Sequence, residues 1–119
     1  MKRTLVVGAS PNPDRYAYIA TEMLKEYAHE VYPFGIKKGN IGNSIIENEW
    51  PSNQTFDTVT LYLNPQMQEN FKDKILALKP KRVVFNPGTE NPAFEKKLTA
   101  EGIEPIEACT LVMLRTNQY

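Results

Sequence analysis

The chain has 119 residues, 41% of them hydrophobic, and its 14 basic side chains balance 14 acidic ones. That fits one domain spanning residues 1–119, with no basic field for a nucleic-acid backbone and no acidic disordered tail. The apolar run after Met1-Lys2-Arg3 is too short for a signal-peptide core or a membrane span, and one cysteine with one histidine excludes an internal disulfide and a Cys/His zinc site. The expected location is a reducing cytoplasm.

Thr4 to Val7 is short, apolar and β-branched, and reads as a buried parallel strand. Residues 14 to 28 carry Tyr16, Ile19, Ala20, Met23, Leu24 and Tyr27 at helical spacing, which predicts a helix. His29 to Phe34 reads as a second strand, limited in its ladder bonds by Pro33. Residues 35 to 55 are rich in Gly and Asn and read as a loop with room for a short strand around Ile45-Ile46. Asp57 to Leu63 alternates as a strand. Met67, Phe71, Ile75 and Leu78 then predict one helix over 65–78. Arg82 to Phe85 and Ile103 to Ile106 are strands separated by a helix over 92–101. Alternation of this kind predicts an α/β, Rossmann-like, three-layer doubly wound domain with a parallel sheet of five or six strands.

Asn-Pro occurs four times, at residues 12, 64, 86 and 91. Asn caps helices and Pro suits the first helical position, so Asn91-Pro92 reads simply as a helix start. The other three pairs follow strands, and therefore stand on the carboxyl edge of the sheet, where open α/β sheets bind ligands. That rim collects the Gly8 turn, Asn64, Asn86, Gly88 and Cys109.

The turn after the first strand has one glycine where a dinucleotide site has three. Ser10 takes the second place and Pro13 the third. No acid ends the second strand to hold an adenine ribose. Glu30 lies near that strand's start instead, and Lys37-Lys38 follow its end. Two loop lysines are most often a solvated surface. At this position they suit an extra ribose phosphate, as in NADP or coenzyme A, with Arg15 and Tyr16 at the start of the first helix and its free N–H groups near a pyrophosphate.

The segments GASPNPDRYAYIATEMLKEYAHEVYPFG, DTVTLYLNP, KPKRVVFNPGTENP and GIEPIEACT resemble, in order and over residues 3 to 113, the small stand-alone coenzyme A-binding proteins. These are similar to the amino-terminal coenzyme A domain of the succinyl-CoA synthetase α subunit. The resemblance implies that Gly8, Ala9 and Ser10 cradle the pyrophosphate and that the span Pro33 to Lys38 (Pro33, Phe34, Gly35, Ile36, Lys37 and Lys38) surrounds the ribose and its 3′-phosphate. It implies that Leu63, Asn64 and Pro65 lie along the adenine or phosphate side. Asn86, Pro87, Gly88 and Thr89, with Cys109 and Thr110, would stand nearer the pantetheine arm. The chain departs from the family at Ala28-His29, where Gly-His is usual, a small change of turn geometry. It departs again at Pro33-Phe34-Gly35-Ile36, where a run of the PVNP type is usual.

In the synthetase, chemistry passes through a phosphohistidine beyond the coenzyme A domain, and this chain is expected to stop where that domain stops. His29 falls on the opposite edge from the rim, and no carboxylates pair into an acid/base couple. Cys109 is the one residue with covalent potential, although a free cysteine is more often a small buried residue. Three readings stay open. The first is a coenzyme A or acyl-CoA binding module without catalysis, serving as carrier, sensor or partner-subunit domain. The second is an NADP-linked reductase. The third is an interaction protein that has lost its ligand. A homodimer or protein partner is compatible with each.

Overall fold

A computed structural model describes all residues 1–119. The first strand, β1 (Arg3–Val7), sends Leu5 and Val7 into one apolar cluster and Val6 into another, as the two-residue period of a strand requires. Burial on both faces is the mark of a parallel strand covered by helices. Helix α1 (Tyr16–Glu26) follows, then β2 (Glu30–Phe34) and a small antiparallel hairpin of β3 (Asn40–Ile41) and β4 (Ser44–Ile45). The rest of the chain is β5 (Thr58–Leu61), α2 (Pro65–Gln68), α3 (Lys72–Leu78), β6 (Arg82–Phe85), α4 (Pro92–Ala100), β7 (Glu104–Glu107) and α5 (Thr110–Arg115).

Five strands make one parallel sheet in the order β2-β1-β5-β6-β7. This is a Rossmann-like α/β fold. The chain reverses its direction of travel across the sheet between β1 and β5, so the crevice for a ligand opens at the carboxyl ends of those two strands. On one face, Ile75, Phe94 and Leu98 from α3 and α4 pack on Val59, Leu61, Val83 and Phe85. On the other, Ala17, Ala20 and Leu24 of α1 meet Leu111 and Leu114 of α5, with Ile41 and Ile46 from the hairpin region.

Two expectations need correction. Residues 65–78 form two helices, because Phe71 leaves helical geometry at φ −125°, ψ −7°. Its ring stacks on Trp50 at 5.6 Å and meets Phe34 edge-on at 5.5 Å, so an aromatic cluster replaces a continuous helix. The loop after β2 holds a hairpin and is tied back to the sheet: Glu47 donates to Pro33 O, and Gly35 donates to Glu47 O. No helix joins β2 to β5. At the turn before β2, Ala28 holds φ 65°, a left-handed conformation that a glycine adopts without strain.

At the amino edge, Lys2 N–H donates to His29 Nδ1 at 2.9 Å, and Tyr119 meets the imidazole edge-on. Burial, with the positive charges of the N-terminal amine and Lys2, holds the imidazole below its ordinary range. The unfolded chain therefore takes up this proton at higher pH than the folded one. Stability contributed by neutral His29 is complete above the ordinary histidine range and is lost as pH falls through that range toward the folded value. Urea titrations between about pH 8 and about pH 5 should show the wild type losing more stability than His29→Gln.

Candidate functional site at the carboxyl edge

The ends of β1, β2 and β5 and the start of α1 enclose a cavity of about 630 Å³. Its shape depends on glycines. Gly8 turns at φ 103°, with Leu63 and Tyr62 too close for a side chain to fit easily. At Gly35 a Cβ would lie 2.3 Å from the carbonyl oxygen of Ala9, so the turn after β1 and the loop after β2 touch backbone to backbone. Asn48 fixes that loop by donating to Gly35 O and Lys37 O.

The donors facing the cavity differ from those the sequence resemblance implies. The amides of Gly8 and Ala9 both donate to Phe34 O, at 3.0 and 2.9 Å. Those of Ser10, Tyr16 and Ala17 donate to nothing in the protein, and the cap residue Arg15 makes no side-chain bond to them. Ser10 Oγ accepts from Asn12 N–H, which leaves its own proton free to donate outward. Asn12 Oδ1 accepts from Asp14 N–H, a tight turn that starts α1 at Tyr16, two residues later than expected. Three unspent amides, one hydroxyl and the positive end of a helix dipole lie at this corner, a set of groups whose chemistry suits an anion. Arg15 and Lys37 stand on its wall, and none of the three ion pairs of the molecule engages them. Asp14 is the one carboxylate there.

Leu63, Asn64, Pro87, Gly88 and Thr89 close the far side. Asn64 is also a helix cap, its Oδ1 accepting from Met67 N–H at 2.9 Å, with Pro65 exposed beside it and off the wall. Lys38 is exposed and outside the cavity, and Pro33 is buried in the sheet.

Asn86 and Thr110 belong to the scaffold. Asn86 Nδ2 donates to Thr60 Oγ1 at 2.6 Å and to Leu61 O at 2.8 Å, and Asn86 Oδ1 accepts from Thr110 N–H at 2.8 Å. Thr110 is fully buried and shares a hydroxyl bond with Thr60. Every polar atom of the Asn86 side chain is thus spent inside the protein. Cys109, half-buried, caps α5 and lines a smaller cavity of about 210 Å³ that adjoins the larger one along Tyr16, Tyr62 and Pro87.

Several wall residues escape sequence reading: Ala17, Tyr62, Met67 and Phe71. Met67 and Phe71 sit in a helical stripe that reads as core, and Tyr62 alternates on the face opposite Leu61 and Leu63. The phenol of Tyr62 is buried without a hydrogen-bond partner, and burial pushes its pKa far above the ordinary tyrosine range.

A crystal structure of an uncharacterized protein is 53% identical to this chain, with a TM-score of 0.97, covering 100% of this chain and 98% of that one. A hypothetical protein from Pyrococcus horikoshii OT3 shares the fold at 24% identity and a TM-score of 0.87, over 97% of this chain and 82% of its own. A protein from Thermus thermophilus does so at 23% identity and 0.82, over 99% and 91%. No curated protein matches the chain. No helix is long and apolar enough to cross a membrane. The CoA-binding domain model matches residues 2–115, nearly the whole of the chain, and the chain belongs to that family.

Proposed function

We propose that this protein binds coenzyme A or an acyl-CoA at the carboxyl edge of its sheet and performs no chemistry of its own, serving as a carrier, sensor or subunit domain. The observation that carries this reading is the corner where unspent amides of Ser10, Tyr16 and Ala17 meet Arg15 and Lys37, in a chain of the CoA-binding family. A diphosphate suits such donors, and the uncompensated cations add long-range attraction. Lys37 takes the 3′-phosphate in this reading. Lys38 follows it outside the cavity and adds charge without contact. The turn of Gly8 and Ala9 contributes close approach of backbone rather than hydrogen bonds.

Titration calorimetry with coenzyme A, dephospho-coenzyme A, NADH and NADPH tests the reading. Coenzyme A is expected to bind tightest. NADPH binding as tightly would favour a reductase, and no binding of any of the four would favour an interaction protein. A charge-assisted contact is worth about 1.5–3 kcal/mol, so Lys37→Ala with Lys38→Ala should weaken coenzyme A roughly tenfold to a hundredfold. The same change should leave dephospho-coenzyme A nearly unaffected. Survival of the full preference for the 3′-phosphate would place that phosphate elsewhere.

A further inference from the structure

We infer that the smaller cavity is an acyl pocket, taking the short uncharged acyl group of a thioester whose nucleotide end occupies the larger cavity. The inference rests on the coenzyme A reading above. The two cavities share Tyr16, Tyr62 and Pro87, so one extended ligand can span them. Their chemistry is opposite. The larger one carries Arg15, Lys37, Asp14 and the free amides. The smaller one is completed by Asn86, Cys109 and Leu111 and has no lysine, arginine, aspartate or glutamate.

Its polar groups have little to offer a ligand. The Asn86 amide is fully engaged by Thr60, Leu61 and Thr110, and Tyr62 Oη lies buried beneath the wall. What remains is ring, aliphatic and thiol surface, with one unspent backbone amide, that of Leu111 at the start of α5. A carboxylate or phosphate placed there would meet that one amide and no cation, too little to offset its lost hydration, which disfavours a charged terminus. An aliphatic chain loses nothing polar and leaves water.

Size narrows the class. A water-sized group takes about 30 Å³ of liquid volume, so a pocket of about 210 Å³ holds roughly seven such groups. A bare thiol would leave most of it unfilled. An acyl group of about four to six carbons fills it together with the thioester sulfur.

The test is calorimetric titration of the wild-type protein with coenzyme A and its acetyl, butyryl, hexanoyl, decanoyl and succinyl thioesters. Affinity should rise about twofold to fourfold for each methylene up to about hexanoyl, then level off. Succinyl-CoA, as long as butyryl-CoA but with a carboxylate in place of its terminal methyl, should bind at least about tenfold more weakly than the butyryl form. Cys109→Leu, which fills the pocket, should shift the preferred chain from hexanoyl toward acetyl, and the ratio of the two affinities is the readout. If coenzyme A binds but all its thioesters bind alike, or the succinyl form equals the butyryl form, the acyl pocket is overturned while the nucleotide site stands. If no coenzyme form binds, the proposed function falls and the pocket with it. The wild-type series decides even where the variant does not fold.

Discussion

Replacing Asn86 with alanine should destabilise the protein by about 3 kcal/mol and loosen the whole rim. Asn86 is 2% exposed and bridges three elements: β6, which it ends, β5 through Thr60 and Leu61, and α5 through the Thr110 amide. Its backbone carbonyl also accepts from the amide and hydroxyl of Thr89. Truncation leaves the Thr110 N–H buried with no acceptor and deprives Leu61 O and Thr60 Oγ1 of a donor. Each buried group so stranded costs about 1–3 kcal/mol, and partial relaxation recovers some of the sum. Urea denaturation measures the loss directly. A change below about 1 kcal/mol would show that α5 and β5 hold together without this side chain. Asn86→Asp keeps an acceptor for Thr110 but buries a charge next to a carbonyl, and should be worse than alanine at neutral pH and recover as the pH is lowered.

Gly35→Ala should cost about 2–3 kcal/mol of stability and weaken coenzyme A binding at least tenfold. The added Cβ falls 2.3 Å from Ala9 O and 3.2 Å from Ala9 C, and both are backbone atoms, so no flexible side chain can yield. The loop after β2 must part from the turn after β1. That movement stretches the two bonds from Gly8 and Ala9 to Phe34 O and displaces Ser10, whose amide and hydroxyl face the cavity. Gly102→Ala separates packing from conformational preference. Gly102 has φ 79° with open space around its Cβ position, so it should cost about 1 kcal/mol and leave binding unchanged. Equal effects of the two substitutions on binding would remove the loop contact from the account of the site.

Much of this fold is local, and local features are legible in a sequence. The apolar runs at Leu5–Val7 and Val83–Phe85 announce strands buried on both faces, and the stripe of Ala20, Met23 and Leu24 announces α1. Asn64 and Asn91 cap helices with a side-chain bond to the amide three residues on, which Asn-Pro encodes within its own neighbourhood. Because strands and helices alternate, the same reasoning brings Gly8, Asn64 and Gly88 to one rim without any knowledge of a contact.

What the tertiary structure alone decided is which polar atoms are spent and which are left over. Gly8 and Ala9 lose their amides to Phe34, distant in sequence and adjacent only because β1 and β2 pair in parallel. Asn86 turns inward because Thr60 and Thr110 meet beneath it, 26 and 24 residues away. Phe71 breaks its helix because Trp50 and Phe34 present ring faces to it. The side cavity exists only where β5, β6 and α5 converge. A residue's type limits the bonds it can make. Its long-range neighbours determine which are used, and a binding site consists of those left unused at the surface of the crevice.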